Sequence, residues 1–236
     1  PHIAEDANLN GSGKPGLVEQ IEHSINTGGL KFSAFSKDQK HSFNAYASAQ
    51  HIVRDSYYSA YGHTTDFTGV LGAQYIYHFD KLFFMPSDLT GGVEFNHDNL
   101  DDKATDMQKY RDAALAEDPT ATGDRLQQLI DKYTPDPLKQ IVNIASVYVQ
   151  NEWKSEQWSF LIGGRLDKNS IMDKAIFSPR ANVRYNPTQD INIRFSYAEG
   201  FRAPQAFDED LHISNVGGEL ISIVRAKDLK EERSRS

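Results

Sequence analysis

Four aspartates open the longest polar stretch of the chain: Asp98, Asp101, Asp102 and Asp106. Carboxylates gathered so closely supply the hard oxygen ligands that calcium takes, so Asp98, Asp101 and Asp102 are the candidate metal ligands. No glycine lies among them to make the sharp turn of a known calcium loop, and a solvated acidic segment fits the same pattern. Asp208, Glu209 and Asp210 form a comparable group. The eight histidines are scattered, and only His97 with Asp101 comes near a ligand spacing. The chain has no His-Glu-x-x-His pair, no Gly-x-Ser-x-Gly elbow, no phosphate loop and no cysteine. Nothing in it supports an enzyme or implies a cofactor.

A second set is cationic: Arg165, Arg180, Arg184 and Arg194. On one wall, four guanidinium groups would make a positive field toward an anionic ligand. Paired with nearby carboxylates, the same groups would be structural. Both readings stay open at the level of sequence.

The elements that carry these residues alternate with period two. Ile191, Ile193, Phe195 and Tyr197 fall on one side of a strand, and Asn192, Arg194 and Ser196 on the other. Ala181, Val183 and Tyr185 alternate with Arg180, Asn182 and Arg184; Trp158, Phe160 and Ile162 alternate with Ser159, Leu161 and Gly163. Strands are also expected at Leu30 to Phe35, His41 to Arg54, Phe67 to Phe79, Gly92 to Asn99 and Ile141 to Trp153, with a weaker one at Leu17 to Ile25.

Connections alternate in length. Tight turns are expected at Ser36 to Lys40, Phe79 to Asp88, Lys154 to Gln157 and Asn186 to Asp190, the last with Pro187 and flanking Asn and Asp to make it. Long excursions are expected at Asp55 to Thr65, Asp98 to Leu138, Arg165 to Ala175 and beyond Gly200. Short turns on one side and long loops on the other describe an outer-membrane β-barrel, with the short turns periplasmic. Trp153, Trp158, Phe79, Phe83, Phe84 and Tyr185 gather at the short-turn ends, as an interfacial girdle requires. Within Asp98 to Leu138, Leu126, Leu129, Ile130 and Tyr133 share a helical face. Met107, Tyr110 and Ala114 suggest a second helix before Pro119, and Pro135 and Pro137 end the stretch.

The composition is compatible. In 236 residues, 39% are hydrophobic and mean hydropathy is -0.59, with no run long enough for a spanning helix. A barrel strand needs only alternate apolar residues, so such averages conceal it. A net charge of -8 argues against nucleic acid as a partner. The polar, glycine-rich start (Pro1 to Gly16) is no signal peptide, and the sequence reads as an internal piece of a longer protein. The competing architecture is a soluble all-β sandwich, for instance a carbohydrate-binding module of a secreted protein.

From Phe177 the chain reads Phe-Ser-Pro-Arg-Ala-Asn-Val-Arg-Tyr-Asn-Pro, and from Ile193 Ile-Arg-Phe-Ser-Tyr-Ala-Glu-Gly-Phe-Arg-Ala-Pro-Gln; these stretches resemble the barrel of TonB-dependent outer-membrane receptors. Ser178-Pro179-Arg180 is similar to the family's "SPR" strand. Arg194 with Ser196 to Pro204 matches its "R.SYA.GFRAP" junction, whose core is Gly200, Phe201, Arg202, Ala203 and Pro204. Leu229, Glu232, Ser234 and Ser236 follow its "L..E.S.S" strand start. Upstream, Tyr148 to Trp153 resembles "Y.Q.EW", Gly164 to Asp167 resembles "G.R.D", and Gly91 to Phe95 resembles "GGEY". Phe207 to Glu219 looks like the Bacteroidetes branch.

The resemblance implies an all-β antiparallel up-and-down meander, part of a ~22-stranded transmembrane barrel around a plug domain. On this reading residues 1–236 are a partial barrel without plug or terminal strands, and residues 98–138 are an extracellular loop with a helical insert. Import of a ferric siderophore, heme, cobalamin or glycan would be energised by the TonB complex through the plug. The partners would be that complex, the nutrient and the lipid of a Gram-negative outer membrane. Arg202 would fix the strand-to-loop junction, with Pro204 ending the ladder.

Overall fold

The computed structural model describes residues 20–58, 60–105, 107–134, 136–205 and 230–236. They form β1 (Gln20–Phe35), β2 (His41–Tyr58), β3 (Ala60–Leu82), β4 (Met85–Thr105), α1 (Met107–Glu117), α2 (Gly123–Tyr133), β5 (Leu138–Lys154), β6 (Trp158–Asn169), β7 (Ile176–Thr188), β8 (Ile191–Arg202) and β9 (Glu232–Arg235). Each strand pairs antiparallel with its neighbour in sequence, so the sheet order is the chain order. This is the expected up-and-down meander.

Register makes the alternation of single strands a property of the whole sheet. Ala47 pairs with Leu30 and Leu71, and Leu71 with Phe95. Val93 pairs with Ala73 and Val147, Val147 with Leu166, and Val183 with Phe160 and Phe195. The result is a continuous apolar face, and it is uncovered: Leu71 is 61% exposed, Val93 55% and Phe195 71%. An apolar surface that large does not face water in a soluble protein; its solvent is hydrocarbon. The other face, one residue out of phase, carries Asn44, Tyr46, Gln74, Glu94, Tyr148, Arg165, Arg180 and Arg194. A soluble sandwich would bury its apolar face against a second sheet, and the described residues form no such layer.

The height of the apolar face is set by what borders it. At the short-turn end Phe84 stacks on Trp153 at 5.7 Å, Trp158 on Phe160 at 5.5 Å and on Tyr185 at 4.1 Å, and Tyr77 meets Phe79 edge-on at 4.5 Å. Trp153 Nε1 donates to the Leu82 carbonyl at 3.0 Å. These rings, apolar with a polar edge, suit a headgroup interface. At the other border lie His51 and His97, the latter bonded to Asn143 Oδ1 at 2.8 Å. Along β3, about ten residue steps separate Tyr77 from Phe67 at that far border; at 3.3 Å each, tilted ~40°, they span about 25 Å, the apolar thickness of an outer-membrane barrel.

Several expected boundaries move outward. Asp55 to Thr65 is not a long loop: the β2–β3 ladder continues to Tyr58 opposite Ala60. Above the hydrocarbon a strand no longer needs an apolar face, so polar residues extend the ladder. For the same reason β4 runs on to Thr105 and β6 to Asn169. The Phe79 to Asp88 connection narrows to a two-residue turn at Phe83 and Phe84, and Phe83 takes the left-handed φ of 61°. The expected strands at Leu17 to Ile25 and Leu30 to Phe35 are one, β1, from Gln20; Leu17 lies outside the described residues, as do Asp106, Phe207 to Glu219 and Leu229.

The two helices form as their spacing predicts, and they pack on each other. Tyr110, Ala114, Ala121, Leu129 and Ile130 make a small core, with Leu126 against it. This hairpin carries its own apolar centre.

Candidate functional site

The polar face is a hydrogen-bonded wall. Glu94, on β4, collects bonds from three strands: Tyr46 Oη donates at 2.5 Å, Asn96 Nδ2 at 3.2 Å and Arg165 Nη2 at 2.8 Å. Arg165 also donates from Nε to Asp167 Oδ1 at 2.7 Å and from Nη2 to Ser146 Oγ at 2.7 Å. Ser146 Oγ donates to the same Asp167 oxygen at 2.5 Å. One guanidinium thus bridges two carboxylates, the arrangement its planar fork favours. Tyr148 Oη reaches across to Gln74 Oε1 at 2.9 Å.

Glycines let the tyrosines lie against the sheet. A Cβ on Gly72 would sit 2.3 Å from Tyr46 Cζ. Nearer the short turns a second network appears: Asp88 takes His78 Nδ1 at 2.6 Å and Lys154 Nζ at 2.8 Å. Lys154 also meets Glu152 at 3.1 Å.

All four candidate arginines stand on this polar face, as their alternation predicts, but they do not form one group. Arg165 is held by Glu94 and Asp167. Arg180, Arg184 and Arg194 lie toward β8 and line one concavity, with no ion pair among the described residues, and Arg180 also lines the adjoining concavity with Arg165 and Glu94. Gly200, Phe201 and Arg202 end β8, and Ala203 and Pro204 follow it out of the ladder.

The acidic candidates separate. Within strand β4, Asp98 and Asp102 point to the inner face and Asp101 to the outer. Asp102 accepts from Thr64 Oγ1 at 2.7 Å, Asp98 from Thr68 Oγ1 at 3.5 Å, and Asp101 meets Lys139 Nζ at 3.1 Å. Among the described residues no three His, Asp or Glu side chains converge as a metal would need. Reading the segment as a loop let the three aspartates share a site; as a strand, parity keeps Asp101 away from the other two. Asp208, Glu209 and Asp210 lie outside the described residues. Glu94, Tyr46 and Tyr148, which organise the wall, were not singled out as site residues from sequence. Their signal was Gly72 and Gly92, since a glycine inside a strand marks a close approach.

A sheet with hydrocarbon on one face and a hydrogen-bonded polar wall on the other defines the wall of an outer-membrane β-barrel. The family model described as TonB dependent receptor-like, beta-barrel, matches residues 5–236, and the chain belongs to that family. As such it is an outer-membrane protein of a Gram-negative bacterium. No curated protein matches the sequence significantly.

Among solved structures, the chain is similar to the siderophore receptor PirA from Pseudomonas aeruginosa (16% identity, TM-score 0.61, covering 92% of this chain and 36% of that one). It is also similar to the alcaligin outer-membrane receptor FauA from Bordetella pertussis (12% identity, TM-score 0.59, 80% and 31%). A third is the ferric citrate transporter FecA in its unliganded form (14% identity, TM-score 0.53, 78% and 28%). At these identities the likeness is one of fold. The chain spans about a third of the length of the receptors it matches.

Proposed function

We propose that this chain is part of the barrel wall of an importer that takes up a scarce, anionic nutrient, energised through TonB. A ferric siderophore fits better than heme, cobalamin or a glycan. The carrying observation is the two-faced sheet: the outward residues suit lipid, so the polar wall with its arginines lines the lumen. Three of those arginines, Arg180, Arg184 and Arg194, leave the β7–β8 part of that wall cationic, which favours an anionic cargo. PirA, one of the structurally similar proteins, is named a siderophore receptor, and this supports the same class. The TonB complex would act through a plug segment of the full-length protein, and the helical hairpin of α1 and α2, between β4 and β5, would stand on the extracellular side.

The test is uptake by the full-length receptor in iron-starved cells that lack their other importers. Radiolabelled iron is offered on catecholate, hydroxamate or carboxylate siderophores, beside heme, cobalamin and a glycan panel. The expected result is accumulation from one siderophore class that disappears in a TonB-null strain. Uptake that persists without TonB, or uptake of none of the iron chelates, overturns the proposal.

A further inference from the structure

The cationic side chains of the inner wall differ in what they meet. Arg165 is saturated by two carboxylates and a serine. Arg184 and Arg194 instead stand directly opposite each other in the β7–β8 ladder, both on the inner face, near the tight turn after Thr188. Arg184 Nε is buried without a hydrogen-bond partner. Arg180 joins them, and with Asn182, Ser159 and Ser196 they line a concavity of about 390 Å³. Glu152 is the one acid among its lining residues, and it is already engaged by Lys154 at 3.1 Å and by Ser159 Oγ at 3.0 Å.

Like charges directly opposite across a ladder repel, and a buried donor without an acceptor keeps its desolvation cost. Both effects change sign once an oxyanion lies between the two forks, because guanidinium groups bind carboxylates in paired, charge-assisted bonds. Asn182 Nδ2 already donates to Ser196 Oγ at 2.6 Å, which leaves the serine hydroxyl proton to turn toward the same space.

We propose that Arg184 and Arg194, toward the short turn, and Arg180, farther along β7, form a carboxylate cradle on the inner wall, beside the neutralised Arg165 network that Arg180 adjoins. The carboxylate comes either from an anionic solute in the lumen or from an acidic side chain of another part of the full-length receptor. The proposal rests on the reading of this face as the lumen wall and names the chemistry of one part of it.

The experiment uses the full-length receptor purified in detergent, at low salt, with citrate as the carboxylate probe. Thermal unfolding is recorded for the wild type and for the Arg184→Gln/Arg194→Gln pair. An empty wall would be relieved by losing two repelling charges, so its Tm would hold or rise. An occupied cradle loses its anchor, so its Tm falls, and added salt narrows the gap.

If the solute is the source, citrate raises the wild-type Tm by linkage and leaves the variant unmoved. If the protein's own carboxylate is the source, the variant's Tm falls and citrate moves neither protein. A variant as stable as the wild type, with citrate shifting neither or both, overturns the cradle. Should the pair fail to accumulate, Arg194→Lys replaces it: it keeps the charge and loses the fork. Where citrate binds the wild type, this variant weakens the affinity about tenfold; where it does not, it lowers the Tm, and no effect by either measure counts against the proposal. Import is read separately by iron uptake, so a receptor that imports without these responses loses the cradle alone.

Discussion

Tyr148 lies flat over Gly92, its direct partner in the β4–β5 ladder: a Cβ built on Gly92 would sit 2.4 Å from both Tyr148 Cζ and Oη. The Ala73 carbonyl oxygen, on the other side, would be 2.9 Å away. The ring therefore fills the place of a side chain, and its hydroxyl reaches Gln74 on the next strand but one. Gly92→Ala must lift that ring off the sheet, at a cost of about 1–3 kcal/mol. Gly91→Ala is the control, since its Cβ would meet only the Tyr148 carbonyl oxygen at 3.9 Å. Urea unfolding of the full-length receptor in bilayers should separate the two variants by that amount; equal stabilities would refute the packing role.

Ala47 and Ser48 are neighbours in sequence and opposites in solvent. Ala47 sits between Leu30 and Leu71 near the middle of the apolar face, whereas Ser48 is exposed on the inner face. Arginine at the bilayer midplane costs roughly 2–4 kcal/mol and far less near an interface. Ala47→Arg should therefore cut the amount of folded receptor in the outer membrane, and Ser48→Arg should leave it near wild type. Ile193→Arg should be milder than Ala47→Arg, because Ile193 pairs with Tyr185 inside the aromatic border. Surface labelling of the three variants measures this order, and equal levels would undo the assignment of faces.

These faces were legible in advance because period two is local: Ile191, Ile193 and Phe195 declare a side without any knowledge of their partners. The helical pairs Tyr110–Ala114 and Leu126–Ile130 were legible for the same reason. What sequence could not supply was register. Glu94 and Arg165 stand far apart in the chain and meet only because Glu94 pairs with Ser146 and Ser146 with Asp167; a one-residue slip would send one of them to the lipid side. Strand ends were misjudged where polar residues carry the ladder beyond the bilayer, as at Thr64 and Asp102. The aspartate trio failed with them, since it required a loop where the chain is a strand.

Arg165 holds two carboxylates apart from each other's repulsion. Arg165→Met would leave Glu94 and Asp167 facing without a cation, and Asp167 is the more buried of the two. Removing one partner of a fully buried pair costs 3–5 kcal/mol; with Arg165 a third exposed, about 1–3 kcal/mol is expected after screening. Arg165→Met combined with Glu94→Gln should recover part of that loss, because one stranded charge is gone. A double-mutant cycle on urea midpoints checks it, and strict additivity would show that the bridge carries no coupling.

The helical hairpin is tied shut by Glu117, which accepts from Lys132 Nζ at 2.6 Å and from Tyr133 Oη at 2.5 Å. These bonds hold the Glu117 carboxyl below its ordinary range, chiefly through Lys132. The same contact raises Lys132 and Tyr133, in each case chiefly through the hydrogen bond to Glu117. A depressed acid contributes stability that is present above its unfolded pKa, about 4.3, and is lost as pH falls through the lowered folded value. The raised lysine and tyrosine contribute stability that is present below their unfolded values, near 10, and is lost as pH rises through the folded ones. The hairpin should thus close most tightly between about pH 5 and 9 and loosen at both ends, α1 and α2 together, because they share one small core. Hydrogen exchange of the Tyr110 to Ile130 amides in the full-length receptor, corrected for intrinsic rates, measures this. Lys132→Met should flatten the acid limb, and an unchanged limb in that variant would remove Glu117 as its cause.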